Sequence, residues 1–309
     1  MLGGEDMPGS PEAKRRSRDR LGRSGRLFLI GVAAGSVVLG VSVPASAQYP
    51  GTNGLVTYIV DGTDSTVPCM GLYYGDGPFD RFVEEITWAP DGKRVALTVV
   101  PRSPEPGTSD RLIVFDTSTC SIPRDLGPVD FRSTTSWSPD GTQIAVQRGG
   151  DIWILKTSTG AVVRNLTPNL PSTIESHPSW SPKNTGIAYR ASDGIRIRPV
   201  TGGASRLWKA NVDRPDWSPD GSKIAYLAGR SSYPNVALSR IAYANASTGG
   251  SVVTTAITAD QFTWSPDGKY FFFRGIYGNC VVATIAGKIT FRPPGGEENC
   301  WAPSWQPKH

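Results

Sequence analysis

One phrase of five residues recurs along the chain and constrains its fold more than any other feature. Its copies are Trp88-Ala-Pro-Asp-Gly, Trp137-Ser-Pro-Asp-Gly, Trp180-Ser-Pro-Lys-Asn, Trp217-Ser-Pro-Asp-Gly, Trp264-Ser-Pro-Asp-Gly and a final Trp305-Gln-Pro. Successive tryptophans are 49, 43, 37, 47 and 41 residues apart. Regular spacing of this size indicates copies of one structural unit packed side by side.

An apolar trio follows each of the first five tryptophans at the same distance of seven residues. The trios are Val95-Ala-Leu, Ile144-Ala-Val, Ile187-Ala-Tyr, Ile224-Ala-Tyr and Phe271-Phe-Phe. Pro, Asp and Gly between two apolar segments favour a tight turn. In the third copy Asn184 stands in place of Gly, and Asn is another residue that tolerates the left-handed conformation. Each phrase therefore predicts a β-hairpin. Apolar residues at helical spacing do not continue for as many as a dozen residues anywhere in the repeats, so no helix is predicted there.

The repeats predict an all-β fold, a six-bladed β-propeller of four-stranded blades. The sixth repeat ends at His309 without a trio, while Val56-Thr-Tyr near the other terminus matches the missing one. We therefore expect the N-terminal segment to supply three strands and the C-terminus the fourth. Pairing of the N-terminal strands with the C-terminal strand would close the ring and leave no exposed sheet edge.

Residues 1–47 have the order of a secretory signal peptide. Seven Lys or Arg residues lie between positions 14 and 26, an apolar run covers residues 27–43, and Ala-Ser-Ala follows at 45–47. The alternative is an uncleaved membrane anchor, for which a run of 17 residues with three glycines is short. We predict a leader over 1–47, a propeller over 48–309, and a secreted or otherwise extracytoplasmic protein.

The charge of the chain gives no support for nucleic-acid or membrane binding. Its formal net charge is +5. Residues 1–47 contain seven basic and four acidic residues, a net charge of +3, so the rest of the chain has a net charge of only +2. Binding to nucleic acid requires basic residues clustered on one face. We expect contact with a membrane only through an uncleaved leader, and a monomeric protein.

The phrase Trp-Ser-Pro-Asp-Gly followed by Ile-Ala-Tyr resembles the repeat of the TolB β-propeller family, over essentially all of residues 48–309. The resemblance implies the propeller fold and says less about activity. TolB itself is periplasmic and carries an α/β domain before the propeller, through which it meets other Tol components. About five residues separate the predicted cleavage site from the first repeat strand. We therefore expect a propeller that lacks this domain, which argues against a role in a Tol system without deciding the question.

Catalytic motifs are not found after residue 47. No G-x-S-x-G nucleophile motif, phosphate loop or dinucleotide fingerprint occurs there. The chain has two histidines, His177 and the terminal His309, too few for a site with two or three imidazole ligands. His177 is a candidate acid or base, although a polar residue at the end of a strand is the favoured interpretation. We expect no enzyme activity, no metal and no cofactor.

Charged and polar residues precede the tryptophans by three to five positions and form the candidate binding site. Because inner strands of a propeller begin at one face, these side chains should surround the mouth of the central channel. The set is Glu84, Glu85, Arg132, Glu175, His177, Asp213, Arg214, Asp260 and Gln261, joined by Asn299 and Trp301. The alternative is a solvated rim. We assign the aspartates of the Pro-Asp-Gly turns to turn formation.

Four cysteines in an exported chain favour disulfides, and three pairings are possible. We predict Cys280–Cys300, because both lie near one face of what should be the same blade. Cys69–Cys120 then follows by elimination, although the predicted register places Cys120 at the opposite end of the next blade.

We interpret the chain as a non-catalytic binding module for a protein or peptide at the channel mouth. The alternatives are a carbohydrate- or small-molecule-binding protein, a hydrolase or lyase that uses the mouth carboxylates, and a structural protein of the envelope. Two long loops, residues 100–110 and 229–237, either contribute to specificity or are tolerated insertions.

Overall fold

The computed structural model describes residues 52–60, 64–65, 67, 81–101, 109–168, 175–229, 239–275, 277–293 and 300–308. These ranges contain strands and turns and no α-helix, so none of them holds a helix long and apolar enough to cross a membrane. All the strands belong to one compact unit, Val38–His309. The predicted leader, most of both long loops, Cys69 and Asn299 lie outside the described residues.

Twenty-two strands form the described part of the chain. The first eleven are β1 (Thr52–Val60), β2 (Asp64–Ser65), β3 (Arg81–Trp88), β4 (Arg94–Pro101), β5 (Asp110–Asp116), β6 (Arg124–Val129), β7 (Thr135–Trp137), β8 (Gln143–Arg148), β9 (Asp151–Lys156), β10 (Val162–Asn165) and β11 (Ser176–Trp180). The second eleven are β12 (Ile187–Ala191), β13 (Gly194–Arg198), β14 (Arg206–Ala210), β15 (Asp213–Trp217), β16 (Lys223–Ala228), β17 (Arg240–Asn245), β18 (Val253–Trp264), β19 (Tyr270–Gly275), β20 (Cys280–Thr284), β21 (Ile289–Phe291) and β22 (Cys300–Lys308).

The strands pair as antiparallel meanders, as the hairpin phrase predicts. Three sheets have four strands each, in the orders β3-β4-β5-β6, β10-β9-β8-β7 and β11-β12-β13-β14. In each of them a repeat tryptophan ends the inner strand, and the apolar trio lies on the strand beside it. This is an all-β propeller architecture with four-stranded blades.

The count of separate sheets differs from the prediction of six. The described strands form five sheets, because β15 to β21 make one seven-stranded sheet. Strand β18 is shared: residues up to Thr258 pair with β17, and residues from Ala259 onward pair with β19. Residues 253–264 contain neither Gly nor Pro, so nothing in the sequence interrupts the strand between its two partners.

The N-terminal and C-terminal strands pair with each other. Strand β1 runs antiparallel to β22, with Val56 opposite Trp305 and Thr57 opposite Ser304. The Thr57 hydroxyl accepts a hydrogen bond of 2.9 Å from Nε1 of Trp88 and so connects this sheet to β3. The segment between β2 and β3, on which a third N-terminal strand is predicted, lies almost wholly outside the described residues.

The core consists of apolar layers between neighbouring sheets. Six clusters occur in the described chain, and each contains one repeat tryptophan that is at most 6% exposed. The cluster of Trp264 lies between the two halves of the seven-stranded sheet. The cluster of Trp305 joins Phe272 of β19 to Val56 of β1. Aromatic side chains of this size supply much of the apolar area that such layers bury.

The turns after the tryptophans have the geometry that their sequence predicts. In the second repeat the Gly141 N–H donates to the carbonyl of Ser138 at 2.9 Å, and Asp140 accepts bonds from the Ser138 hydroxyl and the Thr142 N–H. Gly141 has a φ of 66°, and Asn184, which replaces Gly in the third repeat, has a φ of 56°. The aspartates therefore serve the turns, and the substituted residue adopts the left-handed conformation.

The predicted disulfide between Cys280 and Cys300 is present, with Cα atoms 5.7 Å apart. Its place differs from the prediction in one respect. Cys280 begins β20 and Cys300 begins β22, so the bond links two neighbouring sheets instead of stapling one blade. Cys120 is also disulfide-bonded, whereas Cys69, its predicted partner, lies outside the described residues.

Candidate functional site

The inner strands are irregular just before their tryptophans. The pairing of β3, β11, β15 and β18 with the following strand shifts register there. His177, Arg214 and Ala302, each the third residue before a tryptophan, have positive φ angles of 51°, 50° and 49°. A β-bulge re-aims the side chain at such a position. In β11, β15 and β22 one residue is thus turned away from the regular alternation of the sheet.

The segments before the six tryptophans line one cavity of about 120 Å³, which we call the central cavity. Its lining residues are Glu85, Ile86, Thr87, Thr134, Thr135, Ser136, His177, Pro178, Ser179, Arg214, Pro215, Asp216, Phe262, Thr263, Pro303 and Ser304. Pockets for drug-sized ligands measure roughly 300–1,000 Å³, whereas this volume suits a few water molecules. A ligand larger than that can contact the central cavity only at its opening.

Glu85 is the predicted site residue with the most altered acidity. Its Oε1 accepts a hydrogen bond of 3.5 Å from Gln261, and the Gln261 side-chain oxygen accepts the N–H of Ala302 at 2.9 Å. Burial raises the pKa of Glu85 to about 7, with Arg214 acting in the opposite direction. Near neutral pH, Glu85 is therefore neutral in part of the population of molecules and charged in the rest.

Two arginines contact the ring of Trp301 in an arrangement that we call the arginine–aromatic cluster, Phe131, Arg132, Arg274 and Trp301. The Cζ atom of Arg274 lies 3.9 Å from the Trp301 ring centroid, and that of Arg132 lies 5.4 Å from it. Arg132 is also 5.1 Å from the ring of Phe131, which is 69% exposed. Such cation–π contacts hold the two guanidinium groups against the Trp301 ring.

Carboxylates flank the arginine–aromatic cluster. Glu84 lies 3.4 Å from Nε of Arg132, and Asp260 forms an ion pair with Nη1 of Arg274. Burial raises the pKa of both carboxyl groups, against the lowering effect of their arginine partners. Each arginine of the arginine–aromatic cluster is therefore paired with a carboxylate, and the two signs of charge are held side by side.

A second group is centred on Asp213. Its carboxylate lies 3.1 Å from Nε of Arg190 and accepts the Arg214 N–H at 2.7 Å. Nδ1 of His177 is 3.9 Å away. Burial, together with Arg214 and Arg190, lowers the pKa of His177 well below its ordinary value. His177 is consequently neutral at neutral pH, and its contact with Asp213 is not an ion pair.

Two of the predicted residues stand apart. Glu175 is 1% exposed, does not line the central cavity, and acts electrostatically on Tyr189 and Arg196 inside its own sheet. Asn299 lies outside the described residues. The structure therefore brings Glu84, Glu85, Arg132, Asp260, Gln261 and Trp301 together in one network, with His177, Asp213 and Arg214 in a second beside it.

Asp216 is a cavity residue that sequence reasoning missed. It accepts hydrogen bonds from the hydroxyls of Ser179 and Thr263 at 3.3 and 3.2 Å and from the Trp264 N–H at 3.0 Å. Burial raises its pKa to about 7. A signal was present in the sequence, because the residue before the tryptophan is Ser or Thr in every other repeat.

Arg190 and Arg274 were missed for a different reason. Both follow the apolar trio, ten residues after Trp180 and Trp264, on the strand beside the inner one. The predicted site residues, in contrast, all precede a tryptophan along the chain. No group of three His, Cys, Asp or Glu side chains able to hold a metal ion occurs in the described ranges.

Comparison with known proteins gives the fold. No family model and no curated protein matches the chain. Its structure is similar to that of TolB from Acinetobacter baumannii, with a TM-score of 0.61 and 18% identity over 82% of this chain. That match covers 66% of the TolB chain, just under two thirds of its length.

Two further solved structures are similar. A chain in the crystal structure of a nidogen/laminin complex matches with a TM-score of 0.61 and 10% identity, over 81% of this chain and 97% of that one. The putative TolB from Agrobacterium tumefaciens matches with a TM-score of 0.52 and 19% identity, over 74% and 91%. The resemblance to TolB propellers predicted from the repeat is thereby confirmed for the fold.

Proposed function

We propose that this chain is an extracytoplasmic, non-catalytic module that binds a protein or peptide at the opening of the central cavity. The arginine–aromatic cluster is the observation that carries the proposal. Trp, Tyr and Arg are the residues most enriched at the energetic centres of protein interfaces. Here an arginine with 54% side-chain exposure and a phenylalanine with 69% exposure lie beside a fixed tryptophan.

The proposal includes a closed ring of six blades. Six apolar layers, each with one repeat tryptophan, and the pairing of β1 with β22 support it. In this reading the seven-stranded sheet is two blades joined through β18. A closed ring holds the six inner strands at fixed positions around the central cavity, so that a partner meets a rigid surface.

The small volume of the central cavity, about 120 Å³, favours a macromolecular partner over a small molecule. A partner can lie across the opening and insert no more than one short side chain. The paired charges of Arg132 with Glu84 and Arg274 with Asp260 then select a partner of complementary pattern. The TolB and nidogen/laminin structures give the proposal a parallel in fold alone.

The extracytoplasmic location rests on two features. The order of residues 1–47 is that of a signal peptide, and a disulfide joins Cys280 to Cys300. Disulfides of this structural kind persist in oxidising compartments. Cell fractionation should find the protein, shortened by residues 1–47, in the culture supernatant or the envelope, and detection in the cytoplasm alone would refute the location.

The binding proposal is tested by affinity capture from the culture supernatant and envelope of the producing organism. We expect wild-type protein to retain a specific partner and the double variant Phe131→Ala/Arg132→Ala to lose most of it. The matched control is Ile122→Ala/Arg124→Ala, which removes the same kinds of exposed side chain from the other end of β6. Equal capture by both variants, or no specific partner with wild type, would contradict the proposal.

A second candidate, an enzyme that uses the mouth carboxylates on a carbohydrate, is favoured by one observation. Glu85 lines the central cavity with a pKa of about 7, and such groups serve as acids or bases in enzymes. A panel of chromogenic glycosides decides the question. Turnover that Glu85→Gln abolishes would support this candidate, and absence of turnover would leave the binding module.

A further inference from the structure

A cleft of about 510 Å³ lies between the third and fourth tryptophan repeats, away from the central cavity. Residues from the two turns and from the edges of β13, β14 and β17 line it, among them Lys183, Arg206, Trp217 and Ser222. Its volume lies within the range of pockets that bind small molecules. None of its lining residues contributes to the site described above.

The third repeat departs from the others at the position that faces this cleft. The third residue after the tryptophan is Asp91, Asp140, Asp220 or Asp267 in the other Pro-Asp-Gly copies, but Lys183 here. The Lys183 side chain extends over the next turn. Its Cε lies 3.1 Å from the point where a Cβ atom would stand if Gly221 carried a side chain. No described carboxylate pairs with Lys183 or with Arg206.

Trp217 adds an unsatisfied donor to the same cleft. Its Nε1 is buried without a hydrogen-bond partner, although the residue is 6% exposed and lines the cleft. The corresponding nitrogens of Trp180 and Trp264 bond to Asn184 Oδ1 and to the carbonyl of Asp216. Nε1 of Trp305 is also unpaired, but that ring is completely buried in an apolar cluster. Trp217 therefore brings to the lining of this cleft an indole N–H that has no hydrogen-bond partner in the protein, and an unpaired buried donor gains free energy when an acceptor reaches it.

The equivalent clefts between other repeats lack this chemistry. The cleft between the second and third repeats has about 240 Å³ and includes Asp140. The cleft between the fourth and fifth has about 310 Å³ and includes Asp220 and Asp267. Among these three clefts, only the largest combines cations that have no carboxylate partner with an indole N–H that has no hydrogen-bond partner, and no acidic residue lines it. Arg206 donates one hydrogen bond, to the carbonyl of Ala246 at 3.3 Å.

We propose that this cleft binds a small organic carboxylate with a compact apolar body. Lys183 and Arg206 supply positive charge for the carboxylate, and Trp217 Nε1 supplies a hydrogen-bond donor that has no partner in the protein. Ile197 and Ala246 supply apolar contacts for the body of the ligand. The site is independent of the partner-binding surface, because it lies at the tryptophan turns and not at the bulges of the inner strands.

The test follows the indole N–H signals of the full chain by ¹⁵N–¹H NMR while benzoate is added, with benzamide as the neutral counterpart. The Trp217 signal is identified by its loss in Trp217→Phe. We expect a saturable shift of that signal with benzoate and not with benzamide, while the signals of Trp180 and Trp264 stay in place. No saturable shift with benzoate, or an equal shift with benzamide, would overturn the proposal.

Lys183→Asp is the decisive variant, because it restores the residue that the other repeats carry and should leave the turn intact. We expect it to weaken benzoate binding about tenfold or more, the loss of one charge-assisted hydrogen bond. Lys288→Asp makes the same change in net charge at an exposed residue outside the cleft and should bind normally. Unchanged binding by Lys183→Asp, with its other indole signals at their wild-type positions, would also overturn the proposal.

Discussion

Asp216 differs in chemistry from the residues that occupy its position in the other repeats. Those residues are Thr87, Ser136, Ser179, Thr263 and Ser304. The Ser136 and Ser179 hydroxyls accept the N–H of the next repeat's tryptophan, Trp180 and Trp217. Asp216 performs the same task for Trp264 and uses its further acceptor sites to bind two hydroxyls, so a single carboxyl group connects three consecutive repeats.

We predict that Asp216 makes the folded chain less stable as the pH rises. Its folded-state pKa is raised from 3.8 to about 7, so between these values the folded state holds a proton that the unfolded chain has released. Stability therefore falls through this window. Asp216→Asn keeps an acceptor and removes the titration, so its urea midpoint should decline less than that of wild type between pH 5 and pH 8. Glu85 remains in the variant and preserves part of the slope.

Asp220→Asn is the control for this prediction. Burial acts to raise the pKa of Asp220, but hydrogen bonds from Ser218 and Ser222 outweigh this effect and lower the pKa to about 2. Its stabilising contribution is complete above the ordinary carboxyl pKa and is lost only in acid. Asp220→Asn should therefore lower the midpoint by the same amount at pH 5 and at pH 8. An Asp216→Asn variant with the pH dependence of wild type would refute the role given to that residue.

At the scale of the element, the third turn combines two functions in Asn184. Its backbone adopts a φ of 56°, as the glycines of the other turns do, and its Oδ1 accepts the Trp180 Nε1–H at 2.8 Å. The other paired tryptophans bond to neighbouring repeats instead. At this position the third turn therefore depends on a side chain, whereas the other turns have glycine there and use only its conformational freedom.

We predict that Asn184→Gly destabilises the protein even though it restores the consensus turn residue. Loss of Oδ1 leaves a buried indole N–H unpaired, which costs about 1–3 kcal/mol. Asn184→Asp retains the acceptor and should cost much less. Urea unfolding at pH 7 measures both, and a glycine variant as stable as wild type would show that water replaces the side chain.

The elements themselves were largely predictable from the sequence, with one exception. A fixed offset of seven residues between tryptophan and trio reflects a hairpin of constant length, so strand pairs such as β7 with β8 follow directly. The single seven-stranded sheet, in which β18 pairs with both β17 and β19, could not be predicted. It depends on how far one strand continues past its first partner, which tertiary packing decides and which no turn residue in 253–264 opposes.

The candidate site was predictable in part. Position relative to the tryptophan identified Glu85, His177 and Arg214, because the bulge recurs with the repeat. Arg274 was not found, since its contact with Trp301 joins strands that are adjacent only in three dimensions. The charge state of Glu85 and Asp216 depends on burial, which spacing alone does not report.

At the scale of the whole molecule, the first and the last described strands are neighbours. Strand β1 forms its sheet with β22, and the layer around Trp305 packs that sheet on β19 and β20. The Cys280–Cys300 disulfide crosses the same boundary. The junction between first and last repeats is therefore secured by backbone pairing, an apolar layer and a covalent bond, and the proposed partner surface includes Trp301 at its edge.

Hydrogen–deuterium exchange across this junction tests the closed ring most directly. In the full chain, peptides from β1 and β22 should exchange as slowly as those from β16, and deletion of residues 300–309 should make β1 exchange fast. The full-length Cys280→Ser/Cys300→Ser variant controls for loss of the disulfide and should keep β1 protected. Rapid exchange of β1 in the intact chain, or continued protection after the deletion, would contradict the pairing on which the account rests.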